Sequence, residues 1–265
     1  MAAPSSLRIK QALTSSCRAK IARADEHLDT LYRETDGWGD GDPFVVTRES
    51  QPDGRVHVFR LRYKVQPDVW RWAILLGDAL YDLRCALDHI VYALAINQTG
   101  KDPPDDETSL AFPICSEPRF FEKASRRIAS LNKPTQAAIE KAQPYNRLKP
   151  GEWFMSLWWL SQLNDTDKHR SAHLAVTAGH PDDIATDAIP GTFRALWNRG
   201  PLVDGAPILQ LTLAEPDPNV YVDLKTTGAV VLQAEGFPPI SLYHLTRHIR
   251  REVVLVCRYL SRCFV

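Results

Sequence analysis

The sequence predicts an α+β fold in which a bundle of about four long helices carries an inserted antiparallel sheet of about five strands. Two observations lead to this prediction. Apolar residues recur at helical spacing near both ends of the chain, and short β-like runs separated by turn residues lie between them. The 265 residues suffice for one large domain. We therefore expect a single domain over residues 1–265, with a β-rich subdomain at 171–235 as the alternative.

The first third of the chain predicts a helix, a hairpin and a second helix. Residues 5–34 form an amphipathic pattern that ends at a Gly- and Asp-rich stretch. Two β-like runs follow at 44–49 and 55–64, and Pro52-Asp53-Gly54 between them is typical of a hairpin turn. A second helix is predicted over residues 67–97. Its apolar seam recurs every three or four residues: Leu76, Leu80, Leu83, Leu87, Ile90 and Leu94.

The rest of the chain predicts further helices and the remaining strands. Short helices are expected at 120–131 and 135–142, a tryptophan-rich helix at 152–169, and a final helix at 240–263. Strands are expected at 208–214, 220–226 and 229–233. The segment 178–207 is rich in Pro, Gly and Asp, which favours an irregular surface excursion.

Composition excludes several classes of protein. Lys+Arg and Asp+Glu are both 32, so net charge does not indicate a nucleic acid or an anionic membrane as partner. No apolar run is long enough for a signal peptide or a membrane span. The five cysteines include no C-x-x-C pair, which favours reduced, buried cysteines and a cytoplasmic location. The common loops that bind nucleotides, and the hydrolase and zinc-protease motifs, are absent.

The second helix carries polar residues beside its leucine seam. A stripe of acids and one histidine is unusual on a half-buried helix, because a buried charge is costly unless it is paired or ligated. The stripe comprises Asp78, Asp82, Cys85, His89 and Tyr92. Within the same stretch, Arg84-Cys-Ala-Leu-Asp-His89 has R-x4-H spacing.

This spacing resembles the HEPN superfamily, helical bundles whose R-x4–6-H motif cleaves RNA without a metal. The resemblance implies RNA as a partner, a homodimer, and no cofactor or metal. It also implies that His89 is the general base and that Arg84 stabilises the charged phosphorane, with Asp88 beside them. The alternative from the residues themselves is that Arg84 and Asp88 form an i,i+4 ion pair and His89 is a structural histidine.

A second polar cluster follows the tryptophan-rich helix. It consists of seven consecutive polar residues: Asn164, Asp165, Thr166, Asp167, Lys168, His169 and Arg170. Asp165 and His169 share a helix face, so with Asp82 and His89 they suit a metal-dependent hydrolase if the two helices pack together. Capping and the helix dipole explain part of the cluster.

Two further hypotheses about the function of these polar residues remain open. We expect Asp82, Asn164, Asp165, Lys168, His169 and Arg170 to be binding residues. The alternative is a non-enzymatic interaction module in which a buried, mutually satisfied network joins two helices. The members of that network would be Arg84, Asp88, His89, Asp165, His169 and Arg170. The chain also resembles a group of bacterial proteins with an L-R-x-A-L-D-H helix and a later D-K-H-R segment, which implies no particular activity. The sequence leaves open whether the chain is an enzyme.

Cations cluster in two other places. His244 and His248 have a chelating i,i+4 spacing on the final helix, which also carries Arg247, Arg250, Arg251, Arg258 and Arg262. Arg60, Arg62 and Lys64 lie on one strand face of the hairpin and repel each other unless something anionic lies beside them. These cations could form a phosphate-binding patch, or they could be a solvated surface.

Overall fold

A computed structural model describes residues 11, 13–147, 156–167, 174–177, 184–189, 191–198, 200–224, 229–234 and 237–264. Over these residues the chain is α+β, with seven α-helices and nine strands. The helices are α1 (Ser15–Asp40), α2 (Val69–Thr99), α3 (Pro118–Ala124), α4 (Lys133–Lys141), α5 (Pro144–Arg147), α6 (Ser156–Asp167) and α7 (Leu242–Leu260). The strands are β1 (Phe44–Ser50), β2 (Val56–Tyr63), β3 (Leu174–Thr177), β4 (Ile184–Thr186), β5 (Phe193–Trp197), β6 (Pro207–Leu213), β7 (Val222–Leu224), β8 (Ala229–Leu232) and β9 (Ile240–Ser241).

The predicted architecture of four long helices with one five-stranded sheet is wrong. The described strands form three antiparallel sheets, in the orders β1-β2-β6-β5, β3-β8-β9 and β4-β7. Two of these strands, β4 and β5, lie in the segment predicted to be irregular. Phe193–Trp197 becomes a strand because its backbone pairs with β6, and that pairing depends on distant residues. The local content of Gly and Pro does not predict this pairing.

Prolines also shorten the helices between α2 and α6. Pro118 and Pro134 stand in the first turns of α3 and α4, and Pro144 begins α5. Proline is favoured at the start of a helix and breaks a helix interior, so each one begins a new short helix. At α4 the Asn132 side chain also accepts a hydrogen bond from the Thr135 backbone N–H, at 2.9 Å.

The hairpin and the two apolar helix seams are confirmed. β1 pairs with β2, and the turn between them places Gly54 at φ 68°, a conformation that favours glycine. Every predicted seam residue of α2 is at most 1% exposed: Leu76, Leu80, Leu83, Leu87, Ile90 and Leu94. The last helix, predicted at 240–263 from the same apolar spacing, also buries its seam: Leu242, Leu245, Ile249, Val253, Val256 and Leu260. Burial of each such side chain stabilises the fold by about 1.5–3 kcal/mol.

The chain divides into two compact units. The first contains the described residues of 1–31, 73–172 and 243–265, and the second those of 32–72 and 173–242. Two of the four boundaries fall within α1 and α2. The expectation of one domain over 1–265, and the alternative of a subdomain at 171–235, stay predictions. No helix in the described part of the chain is long and apolar enough to cross a membrane.

Two ion pairs tie α1 to its neighbours within the first unit. Asp25 on α1 accepts two hydrogen bonds from the Arg250 guanidinium on α7, at 2.6 and 2.7 Å. Lys20 on α1 donates to Asp82 on α2 at 2.6 Å. A fork-shaped guanidinium that meets both carboxylate oxygens sets orientation as well as contact, so the first pair defines how α1 lies against α7.

Candidate functional site

The middle of α2 positions the three residues predicted to be catalytic. Arg84 and Asp88 lie one turn apart and form an ion pair, with 3.2 Å between Nη2 and Oδ1. Successive residues of a helix are rotated by about 100°, so His89 points about 140° away from Arg84. Asp88 and His89 both line one cleft. The Arg84 guanidinium does not line that cleft and contacts Asp88 and the Phe112 backbone.

Arg84 and Asp88 together hold the backbone of Phe112. The Arg84 Nη2 donates to the Phe112 carbonyl at 2.7 Å, and the Phe112 N–H donates to the Asp88 Oδ1 at 2.8 Å. We call this set of three residues the Phe112 clasp. Phe112 is fully buried and lies outside any helix or strand. Its peptide groups therefore need partners from side chains, since an unpaired buried peptide group costs about as much as a lost hydrogen bond.

Gln143 continues the same arrangement along the chain. Its Oε1 accepts from the Cys115 N–H at 2.9 Å, and its Nε2 donates to the Pro113 carbonyl at 2.8 Å. Gln143 is itself fully buried. The side chains of Arg84, Asp88 and Gln143 thus satisfy the backbone that a partner strand would otherwise satisfy.

Arg84 is directed into the protein. Its side chain is 16% exposed, and its Nη1 is buried without a hydrogen-bond partner among the described residues. It is not among the residues that line the cleft beside His89. The ion pair with Asp88, expected as the structural alternative, is present.

A cleft of about 540 Å³ opens beside the other face of α2. Asp88 and His89 line it next to each other. The remaining lining residues come from α2 and from the segments around residues 13–16 and 102–110: Leu13, Ser15, Ser16, Tyr92, Ala93, Ile96, Asp102 and Leu110. Volume, concavity and a mixed polar and apolar lining suit a small molecule or one unit of a polymer.

His89 is the residue of this cleft that the fold does not explain. Its Nδ1 is buried and forms no hydrogen bond with any described residue. A buried polar atom without a partner is costly, and such atoms are rare in native proteins. The His89 Nδ1 therefore contacts neither solvent nor a polar partner among the described residues.

The surroundings of Asp88 change the pKa of its carboxyl in opposing directions. Burial raises the pKa of its carboxyl above the ordinary value of 3.8. The Arg84 guanidinium opposes this rise most strongly, followed by the Phe112 N–H and then by His89 and Arg127. Burial outweighs these positive groups, since a carboxylate in a low-dielectric site loses more hydration than its partners return. The acid is therefore easier to protonate than a surface carboxyl.

Asp82 belongs to a different environment from Asp88. It is 5% exposed, accepts from Lys20 at 2.6 Å and has the His27 Nε2 at 3.9 Å, both on α1. The hydrogen bond to Asp82 raises the pKa of Lys20. Asp82 is not among the residues that line the cleft. We assign it to the packing of α1 against α2, whereas the sequence predicts a binding residue.

The second predicted cluster is only partly within the described residues. Asn164 is buried and Asp165 is exposed. Lys168, His169 and Arg170 lie outside the described residues. The predicted metal site shared by Asp82, His89, Asp165 and His169 therefore stays a hypothesis. Within the part of the chain that is described, no group of three or more His, Cys, Asp or Glu side chains could hold a metal ion.

Three cations of the predicted basic surfaces are paired with acids of the same chain. Arg250 is paired with Asp25. On the hairpin, Arg60 pairs with Glu49 at 2.9 Å, and Lys64 pairs with Asp42. The anionic neighbours that the strand cations need are thus residues of the chain. Four arginines of α7 and the turn after it remain exposed: Arg247, Arg251, Arg258 and Arg262.

The sequence does not predict that Phe112, Gln143, Ser15 and Ser16 belong to the site. Phe112 takes part through its backbone, which carries no residue-specific signal. Gln143 stands in a stretch without a motif. Ser15 and Ser16 begin α1, a position that serine favours for capping reasons alone. Their approach to His89 depends on how the helices pack.

Comparison of the chain with protein-family models, with curated proteins and with solved structures finds no match. The geometry of the site is therefore the basis for inferring the function.

Asp88→Asn should change how stability depends on pH. Because the pKa of Asp88 is raised in the folded state, the protonated acid favours folding. Its contribution is fully present below the unfolded pKa, near 4, and is lost as pH rises through the folded pKa. We expect the melting temperature of the wild type, relative to Asp88→Asn, to be highest in acid and to fall toward pH 7.

Thermal melts at several pH values between about 3.5 and 7 measure this difference. Asp78→Asn, which alters an exposed carboxylate on the same helix, is the matched control. A difference that is independent of pH, or that increases with pH, would show that burial does not control the Asp88 carboxyl.

Proposed function

We propose that this chain is an RNA-directed protein of the HEPN type, a metal-independent endoribonuclease whose general base is His89. One observation carries the proposal. His89 and Asp88 lie side by side in a cleft of about 540 Å³, and the His89 Nδ1 is buried without a hydrogen bond to any described residue. A histidine that the fold leaves unpaired at a cleft is a candidate for proton transfer.

The chemistry needs a base and an acid. The His89 Nε2 takes the proton of a ribose 2′-hydroxyl, and the 2′-oxygen attacks the adjacent phosphorus. The bond from phosphorus to the 5′-oxygen then breaks, and that oxygen takes a proton. The products are a 2′,3′-cyclic phosphate and a 5′-hydroxyl. The Asp88 carboxyl donates this proton, since burial raises its pKa and so keeps more of the carboxyl protonated at a given pH.

Arg84 has a different role from the one that the resemblance implies. Its Nη2 already contacts the Phe112 carbonyl at 2.7 Å and Asp88 at 3.2 Å. We assign it to positioning: it orients the Asp88 carboxyl and holds the Phe112 backbone. Charge neutralisation for RNA would come instead from exposed cations, such as Arg247 and Arg251 of α7.

His89→Ala should abolish RNA cleavage measured in EDTA. The assay uses purified protein with one structured and one unstructured RNA, and it identifies the product ends as cyclic phosphate and 5′-hydroxyl. Removal of a general base typically costs about 10²–10⁴ in rate. His244→Ala, an exposed histidine of α7 outside the cleft, is the matched control and should retain wild-type activity.

Two results would contradict the proposal. One is the absence of both cleavage and salt-sensitive RNA binding by the wild type. The other is cleavage by His89→Ala at the wild-type rate, which would point to a contaminating nuclease or to another base.

The Phe112 clasp favours a second candidate, a non-enzymatic interaction module stabilised by buried polar groups. On this account Arg84 and Asp88 have no task beyond the fold, and the cleft is a binding surface. Arg84→Met leaves the Phe112 carbonyl and the Asp88 carboxylate without their shared donor. It should cost about 1–3 kcal/mol of unfolding free energy, and more if the unpaired carboxylate stays charged.

Chemical denaturation of His89→Ala separates the two candidates, and Arg84→Met, which should destabilise the protein on both accounts, is measured beside it as the structural reference. Exposed Arg126→Met serves as the control and should change stability by less than about 0.5 kcal/mol. The module requires that His89→Ala also destabilises the protein, as for a structural histidine. A catalytic His89 predicts unchanged or increased stability, because the substitution removes a buried unpaired nitrogen.

A further inference from the structure

Two buried cysteines face the same cavity in the first unit. The cavity has a volume of about 420 Å³ and lies along α1 and α7. Cys17 from the start of α1 and Cys257 from the end of α7 both line it, with Arg18 and Arg258 also in the lining. Cys17 is 2% exposed and Cys257 is 7% exposed. The other three cysteines, Cys85, Cys115 and Cys263, do not line this cavity.

The two thiols are neighbours in this cavity. Each is close enough to change the pKa of the other. Cys257 Sγ also lies 3.9 Å from the Ala86 carbonyl of α2, within range for a weak S–H donor. All the described cysteines are free thiols. Thiols from helices at opposite ends of the chain therefore meet in a space large enough to admit a small reagent.

The environment gives the two sulfurs different reactivity. Interaction with the Cys257 thiol lowers the pKa of Cys17, and the positive charge of Arg18 lowers it further, although burial opposes both. Interaction with Cys17, together with burial, raises the pKa of Cys257 well above its ordinary value. The thiolate is the form that reacts with electrophiles, so Cys17 is the more reactive sulfur and Cys257 stays protonated beside it.

We propose that Cys17 is an oxidation site for small peroxides and that Cys257 resolves the oxidised sulfur as a disulfide linking α1 to α7. The site is independent of the proposed ribonuclease activity. Its ligand is hydrogen peroxide or a comparably small hydroperoxide, because both thiols are buried.

The reaction has two balanced steps. Cys17 displaces water from hydrogen peroxide: the O–O bond breaks, an S–O bond forms, and the sulfur becomes a sulfenic acid. The Cys257 sulfur then attacks the Cys17 sulfur. The S–O bond breaks as the S–S bond forms, and the sulfenic oxygen leaves as a second water with the Cys257 proton. Peroxide is the oxidant throughout, and two thiol hydrogens are lost.

Peptide mapping after peroxide treatment tests the proposal. The reduced full-length protein is treated with one to two equivalents of hydrogen peroxide, alkylated and digested. We expect one intramolecular linked peptide pair, Cys17 with Cys257, and loss of two of the five free thiols. Cys263→Ser should form the same link. Cys17→Ser should form none and keep its remaining thiols reduced.

Cys257→Ser tests the order of events. Oxidation should then stop at the sulfenic acid of Cys17, which dimedone traps and mass spectrometry locates. The proposal is overturned if all five wild-type thiols survive the treatment, if the linked pair includes Cys85, Cys115 or Cys263, or if dimedone labels another cysteine in place of Cys17. The wild-type map decides the question even if a serine variant does not fold.

Discussion

The buried backbone of residues 112–115 is the constraint on which the candidate site depends. This segment passes through the interior of the first unit without belonging to a strand, so its peptide groups need partners from side chains. Arg84, Asp88 and Gln143 supply them. The clasp in turn fixes Asp88 in a half-buried position on α2. The raised pKa of Asp88 and its place beside His89 in the cleft both follow from that position.

The two residues of the R-x4-H motif have different explanations. Arg84 is accounted for by its contacts with Phe112 and Asp88, and the fold would need it without any chemistry. His89 is not accounted for in this way, because its Nδ1 is buried and unpaired among the described residues. The function of the site therefore depends on the His89 imidazole and on which molecule binds in the cleft beside it.

The parts of the fold that repeat locally could be predicted from the sequence. The leucine seam of α2 and the turn at Gly54 are set by periodicity and by backbone conformation, which neighbouring residues encode. Pairings between distant residues could not be predicted. The strand Phe193–Trp197 exists through its ladder with β6. The Phe112 clasp uses a backbone carbonyl and N–H, which every residue except proline has, so no residue type signals it. Asp82 pairs with Lys20 whereas Asp88 lines the cleft, and that difference depends on how α1 packs against α2.

Histidine ring NMR in the presence of RNA tests the central claim most directly. Long-range ¹H–¹⁵N spectra resolve the eight imidazoles, and the spectrum of His89→Gln identifies the signals of His89. A 2′-fluoro RNA oligonucleotide occupies the site without being cleaved. We expect the His89 Nε2 signal to shift on addition of RNA, by more than the signals of any histidine outside the cleft. An unchanged His89 spectrum at saturating RNA, with shifts confined to other histidines, would contradict the assignment of this cleft as the RNA site.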